Sequence, residues 1–212
     1  MRSERRPGAR SRTGTLHRAD FVNVMAGYSF TAERVLNPRE LIHPINVGTA
    51  PPSPGIYAWW FTEGALDVPD ADYQRLDGYE LLYTGISPRK PSAAGKTSSG
   101  NIKTRLDEHA NGDASRSTLR RTLGVLLAEQ LGLTLGVHKT REHYGDGERL
   151  ITRWIRENAK VAWVTDSRPW EAEDELLEHA MLALNIDGRS DTFARSISDR
   201  RRVALAAARA AG

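Results

Sequence analysis

Apolar residues follow two different periods along this chain. Two short runs read as buried strands: Pro54-Gly55-Ile56-Tyr57-Ala58-Trp59-Trp60 and Leu81-Leu82-Tyr83-Thr84-Gly85. Both are aliphatic, β-branched or aromatic, and Pro, Gly and acidic residues bound them. A third strand, Lys160-Val161-Ala162-Trp163-Val164-Thr165, has the same character. Elsewhere apolar residues recur at i, i+3, i+4 and i+7, the stripe of an amphipathic helix. That spacing predicts short helices over 31–36 and 38–42, and one over 101–110 that Asn111-Gly112 stops. A helix from Ser115 or Ser117 carries Leu119, Leu123, Leu126, Leu127 and Leu131. Further helices are expected over 147–158, from Pro169 through Leu184, and over 198–211. Residues 48–54 and 86–100 read as loops, and 62–80 as an acidic connection without clear period.

Strand alternation places Tyr57 on one face with Trp59 and Phe61, and Tyr83 on one face with Leu81. If the first two strands pair, two phenols meet at one end of a sheet. Gly55 and Gly85 beside them then leave room for a ligand's approach.

Composition narrows the class. The chain has 212 residues, 39% hydrophobic and 27% charged, enough for one core. No apolar run approaches the roughly 18 residues of a membrane span. The N-terminal residues have no apolar stretch of the secretory kind, so a cytoplasmic protein is expected. There are no cysteines, which removes thiol catalysis and Cys-based zinc sites. Six Arg fall within residues 1–20, and residues 1–19 are expected to be a disordered basic tail ahead of one domain over 20–212. Eight Lys or Arg against three acids fill residues 86–125, a balance suited to a phosphate backbone. Lys103, Arg116, Arg120 and Arg121 are the candidates there. Gly95-Lys96-Thr97 is not a P-loop, because the Gly that the motif needs five residues earlier is Lys90. His138, Glu142 and His143 lack the i, i+4 spacing of a helical zinc site and read as loop residues.

Gly55-Ile56-Tyr57 followed by Tyr83-Thr84-Gly85 resembles the signature of the GIY-YIG nuclease family. Further segments agree, among them Lys103-Thr104-Arg105-Leu106-Asp107-Glu108-His109 and Glu173-Asp174-Glu175-Leu176-Leu177 through Leu184-Asn185. Stretches such as Ser117-Thr118-Leu119-Arg120-Arg121 and Pro169-Trp170-Glu171-Ala172-Glu173 look like a stand-alone bacterial subgroup of that family. The resemblance implies an α+β fold, a small, mainly antiparallel three-stranded sheet flanked by helices. It also implies a metal-dependent endonuclease, with DNA as the expected substrate and Mg²⁺ or Mn²⁺ as the cofactor. Tyr57, Tyr83, Arg105, His109 and Glu173 would form the catalytic set, and Glu173 would hold the metal. Arg105 and His109 lie four apart, so one helix face can turn both toward one phosphate. Glu173 precedes Leu176 and Leu177 by three and four residues, which puts it on the inward stripe of its helix. Asn185 would assist at the nucleic acid or cap the helix end. The chain departs from the pattern in the 25 residues between Tyr57 and Tyr83, in the long loop before Arg105, and in Thr84 where Ile is usual. A non-catalytic nucleic-acid-binding module on the same fold is the alternative.

Overall fold

Seven consecutive buried residues, Gly55 to Phe61, make β1 (Gly55–Thr62) the centre of the molecule. A strand covered on both faces has no solvated side to alternate toward, so its sequence is apolar almost throughout. The computed structural model describes residues 28–211 apart from Thr97, so the basic tail expected at 1–19 lies outside the described residues. β1 pairs antiparallel with β3 (Tyr79–Ser87) on one side and with β6 (Ala159–Thr165) on the other. The two-residue β2 (Arg75–Leu76) adds an edge, giving the order β2-β3-β1-β6. It turns back onto β3 through Asp77 and Gly78, whose φ values of 52° and 81° suit a tight hairpin. The acidic connection therefore supplies a fourth strand, too short to show a period.

A bulge decides which side chains share a face. The β1–β3 register shifts between Trp59, which faces Tyr83, and Trp60, which faces Leu81. Leu82 is the extra residue, and such an insertion interrupts alternation. Tyr83 therefore joins Tyr57, Trp59 and Phe61 in one core, while Leu81 joins Ile56, Ala58 and Trp60 in the other. The expectation that Tyr83 and Leu81 share a face is corrected by this bulge.

Helices cover both faces. α1 (Phe30–Leu36) starts at Ser29, whose side chain accepts from the Ala32 amide. The segment over 38–42 is not helical. Ile42 instead exchanges two backbone hydrogen bonds with Val161, of 2.8 and 2.9 Å, extending the sheet beyond β6. A 3-10 helix (Pro44–Thr49) follows and runs into the start of the loop expected over 48–54. α2 (Ile102–Asn111) is capped by Asn101, whose Oδ1 accepts from the Thr104 amide at 2.9 Å. The next predicted helix is divided at Leu127 into α3 (Thr118–Leu126) and α4 (Ala128–Leu131), which Gly132 ends in the left-handed conformation. A hairpin of β4 (Gly136–His138) and β5 (Arg141–His143) leads into α5 (Gly147–Asn158). α6 (Pro169–His179) stops well before Leu184, and α7 (Thr192–Ala211) begins ahead of residue 198, with Asp191 accepting from the Ala194 amide. Ile102 and Leu106 of α2, Leu119 and Leu123 of α3, and Ile151, Trp154 and Ile155 of α5 fill the core on the Tyr57 face. Residues of α1 and α6 pack in the other core, around Trp60.

Candidate active site

A cavity of about 790 Å³ opens where β1 begins and β3 ends. Tyr57, Tyr83, Arg105 and Glu173 all line it. Tyr57 and Gly85 are cross-strand partners, as are Trp59 and Tyr83, so this pairing brings both phenols to this end. α2 crosses behind them, and its His109 is the hub of an aromatic cluster. Its ring centroid lies 5.4 Å from that of Tyr57, 6.2 Å from Trp59 and 5.6 Å from Tyr83.

His109 is fully buried and does not line the cavity. Its Nε2 is 2.8 Å from Tyr57 Oη and its Nδ1 is 2.6 Å from Ser117 Oγ. Burial, with Arg105 and Arg120 nearby, holds its pKa well below 6.5, so the ring is neutral. The expectation that His109 points at the same phosphate as Arg105 is corrected. The inner side of α2 turns His109 into the core behind Tyr57, and only Arg105 faces the opening. Burial likewise pushes the Tyr57 phenol well above 10, against a lowering pull from Arg105 beside it. Tyr83 is also raised by burial, and its Oη lies 3.0 Å from Thr118 Oγ1.

The Arg105 guanidinium is held on its outer side. Nη1 donates to Glu108 Oε2 at 3.0 Å and to the Arg116 carbonyl at 2.6 Å. Glu173 stands across the cavity on α6, half-buried, and no hydrogen bond or ion pair among the described residues engages its carboxylate. Burial and then Asp174 push its pKa up to about 7, while Arg89 and Lys90 pull it down. A buried carboxylate without a partner is costly unless it is neutral or meets a cation. A divalent ion fits here. Among the described residues no cluster of three metal-ligating side chains occurs, so the protein would supply one carboxylate and water most of the remaining ligands.

The remaining predicted residues divide. Gly85 lines the cavity, but a Cβ there would stand 2.5 Å from Tyr57 Oη. At Gly55 a Cβ would meet the Val164 carbonyl at 2.3 Å. Gly55 makes room for the β6 backbone, which corrects the expectation of a ligand there, and Gly85 makes room for Tyr57 on the cavity wall. Asn185 also lines the cavity, away from any helix end. Its Oδ1 accepts from the Thr84 amide and its Nδ2 donates to the Thr84 carbonyl, each at 2.9 Å, so it clamps β3 beside Gly85. Lys103 and Arg116 are exposed and lie outside the cavity wall.

Arg120 cannot meet a phosphate. Its side chain is fully buried, with Nη2 2.8 Å and Nε 3.1 Å from Glu148 Oε2 and Nη1 3.1 Å from Thr152 Oγ1. The helical turn of about 100° per residue sends Arg120 inward and leaves Arg121 on the cavity wall. Sequence reasoning missed Ser117, Thr118 and Arg201. Ser117 was legible as a helix-capping serine, and its Oγ does accept from the Arg120 amide at 3.0 Å. Nothing local marked it as the partner of His109, eight residues earlier.

The model of the GIY-YIG catalytic domain matches residues 55–203, from the first residue of β1 into α7. The chain belongs to the GIY-YIG family. The match covers more than half of the chain and gives it a catalytic domain of the nuclease type. No curated protein and no solved structure matches the chain. The GIY-YIG tripeptides supply Tyr57 and Gly85 here, a phenol packed on the glycine opposite it, and the Thr84 hydroxyl donates to the Tyr57 carbonyl at 3.0 Å. Thr84, where Ile is usual in the family, thereby ties the two halves of the signature together. Among the described residues no helix is long and apolar enough to cross a membrane. His138, Glu142 and His143 lie on the β4–β5 hairpin, where Arg201 takes both oxygens of Glu142 at 2.8 and 2.6 Å.

Proposed function

We propose that this GIY-YIG protein is a metal-dependent endonuclease that hydrolyses phosphodiester bonds, with DNA as its substrate. The observation carrying this reading is that Tyr57, Arg105 and Glu173 converge on one cavity in which Glu173 has no partner among the described residues. The Arg105 fork meets the non-bridging oxygens and offsets the charge that builds on phosphorus. Glu108 and the Arg116 carbonyl hold the guanidinium in place before substrate arrives.

With Nδ1–H of His109 donating to Ser117 Oγ, Nε2 is left to accept from the Tyr57 hydroxyl. The Tyr57 oxygen, which Arg105 also engages, then keeps one lone pair free to receive a hydrogen bond from water. Tyr57 thus orients the attacking water, and His109 is the acceptor behind it for the phenol proton. His109 acts through Tyr57 and does not touch substrate. Tyr83, held by Thr118, fixes the other wall of the site. Glu173 would hold Mg²⁺ or Mn²⁺, which when bound supplies Lewis-acid stabilisation of the phosphoryl group.

Supercoiled plasmid incubated with wild type or Glu173→Ala, in Mg²⁺ or in EDTA, tests the reading. Nicking or linearisation by wild type only, and only with Mg²⁺, is expected. Equal cutting by Glu173→Ala would remove Glu173 from the metal role. Salt-sensitive binding by both proteins without cutting would make the chain a nucleic-acid-binding module.

A further inference from the structure

The cavity extends past Tyr83 to a second cluster of cations that the proposed hydrolysis does not use. Thr118, Arg121 and Thr122 stand on one face of α3, at i, i+3 and i+4, and all line the cavity. Arg201 of α7 reaches the same wall. Arg201 is already neutralised, since Glu142 takes its Nε and Nη2 in a bidentate pair. Arg121 is not. No carboxylate among the described residues lies within ion-pair distance of it, and no side-chain hydrogen bond engages its guanidinium. Its Nε is buried without any acceptor. An orphaned buried donor in a folded protein calls for a missing partner. The shape of the wall says what kind: a planar fork of donors beside a second guanidinium matches the oxygens of a phosphate, while the Thr122 hydroxyl donates to the Thr118 carbonyl and the Thr118 hydroxyl pairs with Tyr83.

Resting on the nuclease reading above, we propose that Arg121, flanked by Thr118, Thr122 and Arg201, is a second phosphate subsite, which holds a backbone phosphate neighbouring the one under attack. The substrate is therefore a polynucleotide strand that runs from Arg105 past Tyr83 to α3 and α7. Tyr83 and Thr118 form the wall between the two subsites, their hydroxyls 3.0 Å apart. Desolvation disfavours the charged form of Arg121, with Arg201 acting in the same direction and Glu142 and Asp187 against it, and the negative charge of an incoming phosphate adds to that favourable side. Occupation of the subsite requires an anion from the strand. Free inorganic phosphate, with one anionic group and no tether to the first subsite, binds there only weakly.

The test is equilibrium binding of a fluorescein-labelled duplex DNA oligonucleotide in EDTA across a series of salt concentrations. Wild type is compared with Arg121→Gln, Arg121→Lys and Arg153→Gln, the last an exposed arginine outside this cavity. Each phosphate neutralised contributes a slope of about −0.9 in log K against log salt. Arg121→Gln is expected to flatten the slope by about that one unit and to weaken binding roughly tenfold. Arg121→Lys should keep the slope while losing affinity, because the charge remains but the fork is gone. Arg153→Gln should match wild type. An unchanged slope in Arg121→Gln, or an equal change in Arg153→Gln, overturns the subsite. Wild type that binds with the expected slope but never cuts would end the nuclease reading and leave the subsite standing. Wild type that cuts, beside an Arg121→Gln protein of unchanged slope, does the reverse.

Discussion

Arg120 and Arg121 follow one another on α3 and meet opposite surroundings. Arg120 points into the wall behind the site, where Glu148, Thr152 and the His109 and Ala110 carbonyls take its donors. Arg121 points along the cavity, with a buried Nε that nothing accepts. The same contrast holds for two acids, Glu148 behind the site and Glu173 on its wall. Glu148 receives Arg120 and the amides of Ala114 and Tyr144, whereas Glu173 receives nothing among the described residues. One side of the site is therefore closed and satisfied, and its charges serve position. On the other side, among the described residues, neither the Arg121 guanidinium nor the Glu173 carboxylate has a side-chain partner, which suits a ligand that brings both an anion and a metal. Identical residue types acquire different work according to whether the fold has already answered them.

Breaking the closed side should cost folding rather than chemistry. Glu148→Ala leaves Arg120 buried and unpaired, and a loss of about 3–5 kcal/mol is expected, read as a lowered Tm. On the open side the balance reverses. Tyr57→Phe keeps the ring in the core but removes the hydroxyl that orients water. Cleavage should fall about 100-fold or more, for a stability cost of about 1 kcal/mol from the lost bond to His109. A change of comparable size in both quantities would mean that Tyr57 belongs with the closed side.

Gly85→Ala probes the seam between the two sides. The new methyl would press on Tyr57 Oη and Cζ, at 2.5 and 2.8 Å before relaxation. A stability cost of about 1–3 kcal/mol is expected, with a larger proportional loss of cleavage than of Tm as the phenol is displaced. Wild-type cutting by this variant would show that the phenol's position is not critical.

The smallest effect concerns pH. The folded pKa of Glu173, about 7, lies above its ordinary value of 4.5, so the folded protein binds more protons between those limits. Stability without metal should therefore fall as pH rises from about 4.5 to about 7 and level off above. Glu173→Gln should remove that share of the slope in denaturant titrations. Mg²⁺ should recover stability above pH 7, where the carboxylate is ionised, and do less below it. The same slope in wild type and Glu173→Gln would place Glu173 among the satisfied charges.

The strands and their aromatic positions were legible in the sequence because residues buried on both faces are apolar almost without interruption, as β1 is. The helix cores were legible for the same reason, since Leu119, Leu123, Ile151 and Ile155 keep a helical period wherever they pack. Gly55, Tyr57, Tyr83, Arg105 and Glu173 could be picked out from short motifs. Element ends were less legible: α6 stops at His179 although Leu182 and Leu184 continue the apolar pattern, because they pack from an irregular segment. Tertiary structure alone decided the rest. The pairing of Trp59 with Tyr83 put Tyr83 on the Tyr57 face and the bulge at Leu82 sent Leu81 to the other, a consequence of pairing between strands that no single strand records. Whether His109 met solvent or core depended on what α2 packed against. Whether Arg120 or Arg121 remained free depended on where Glu148 and Glu142 arrived from other elements. A sequence carries each charge, and partner and burial, which set what that charge can do, come only from the packing of segments distant along the chain.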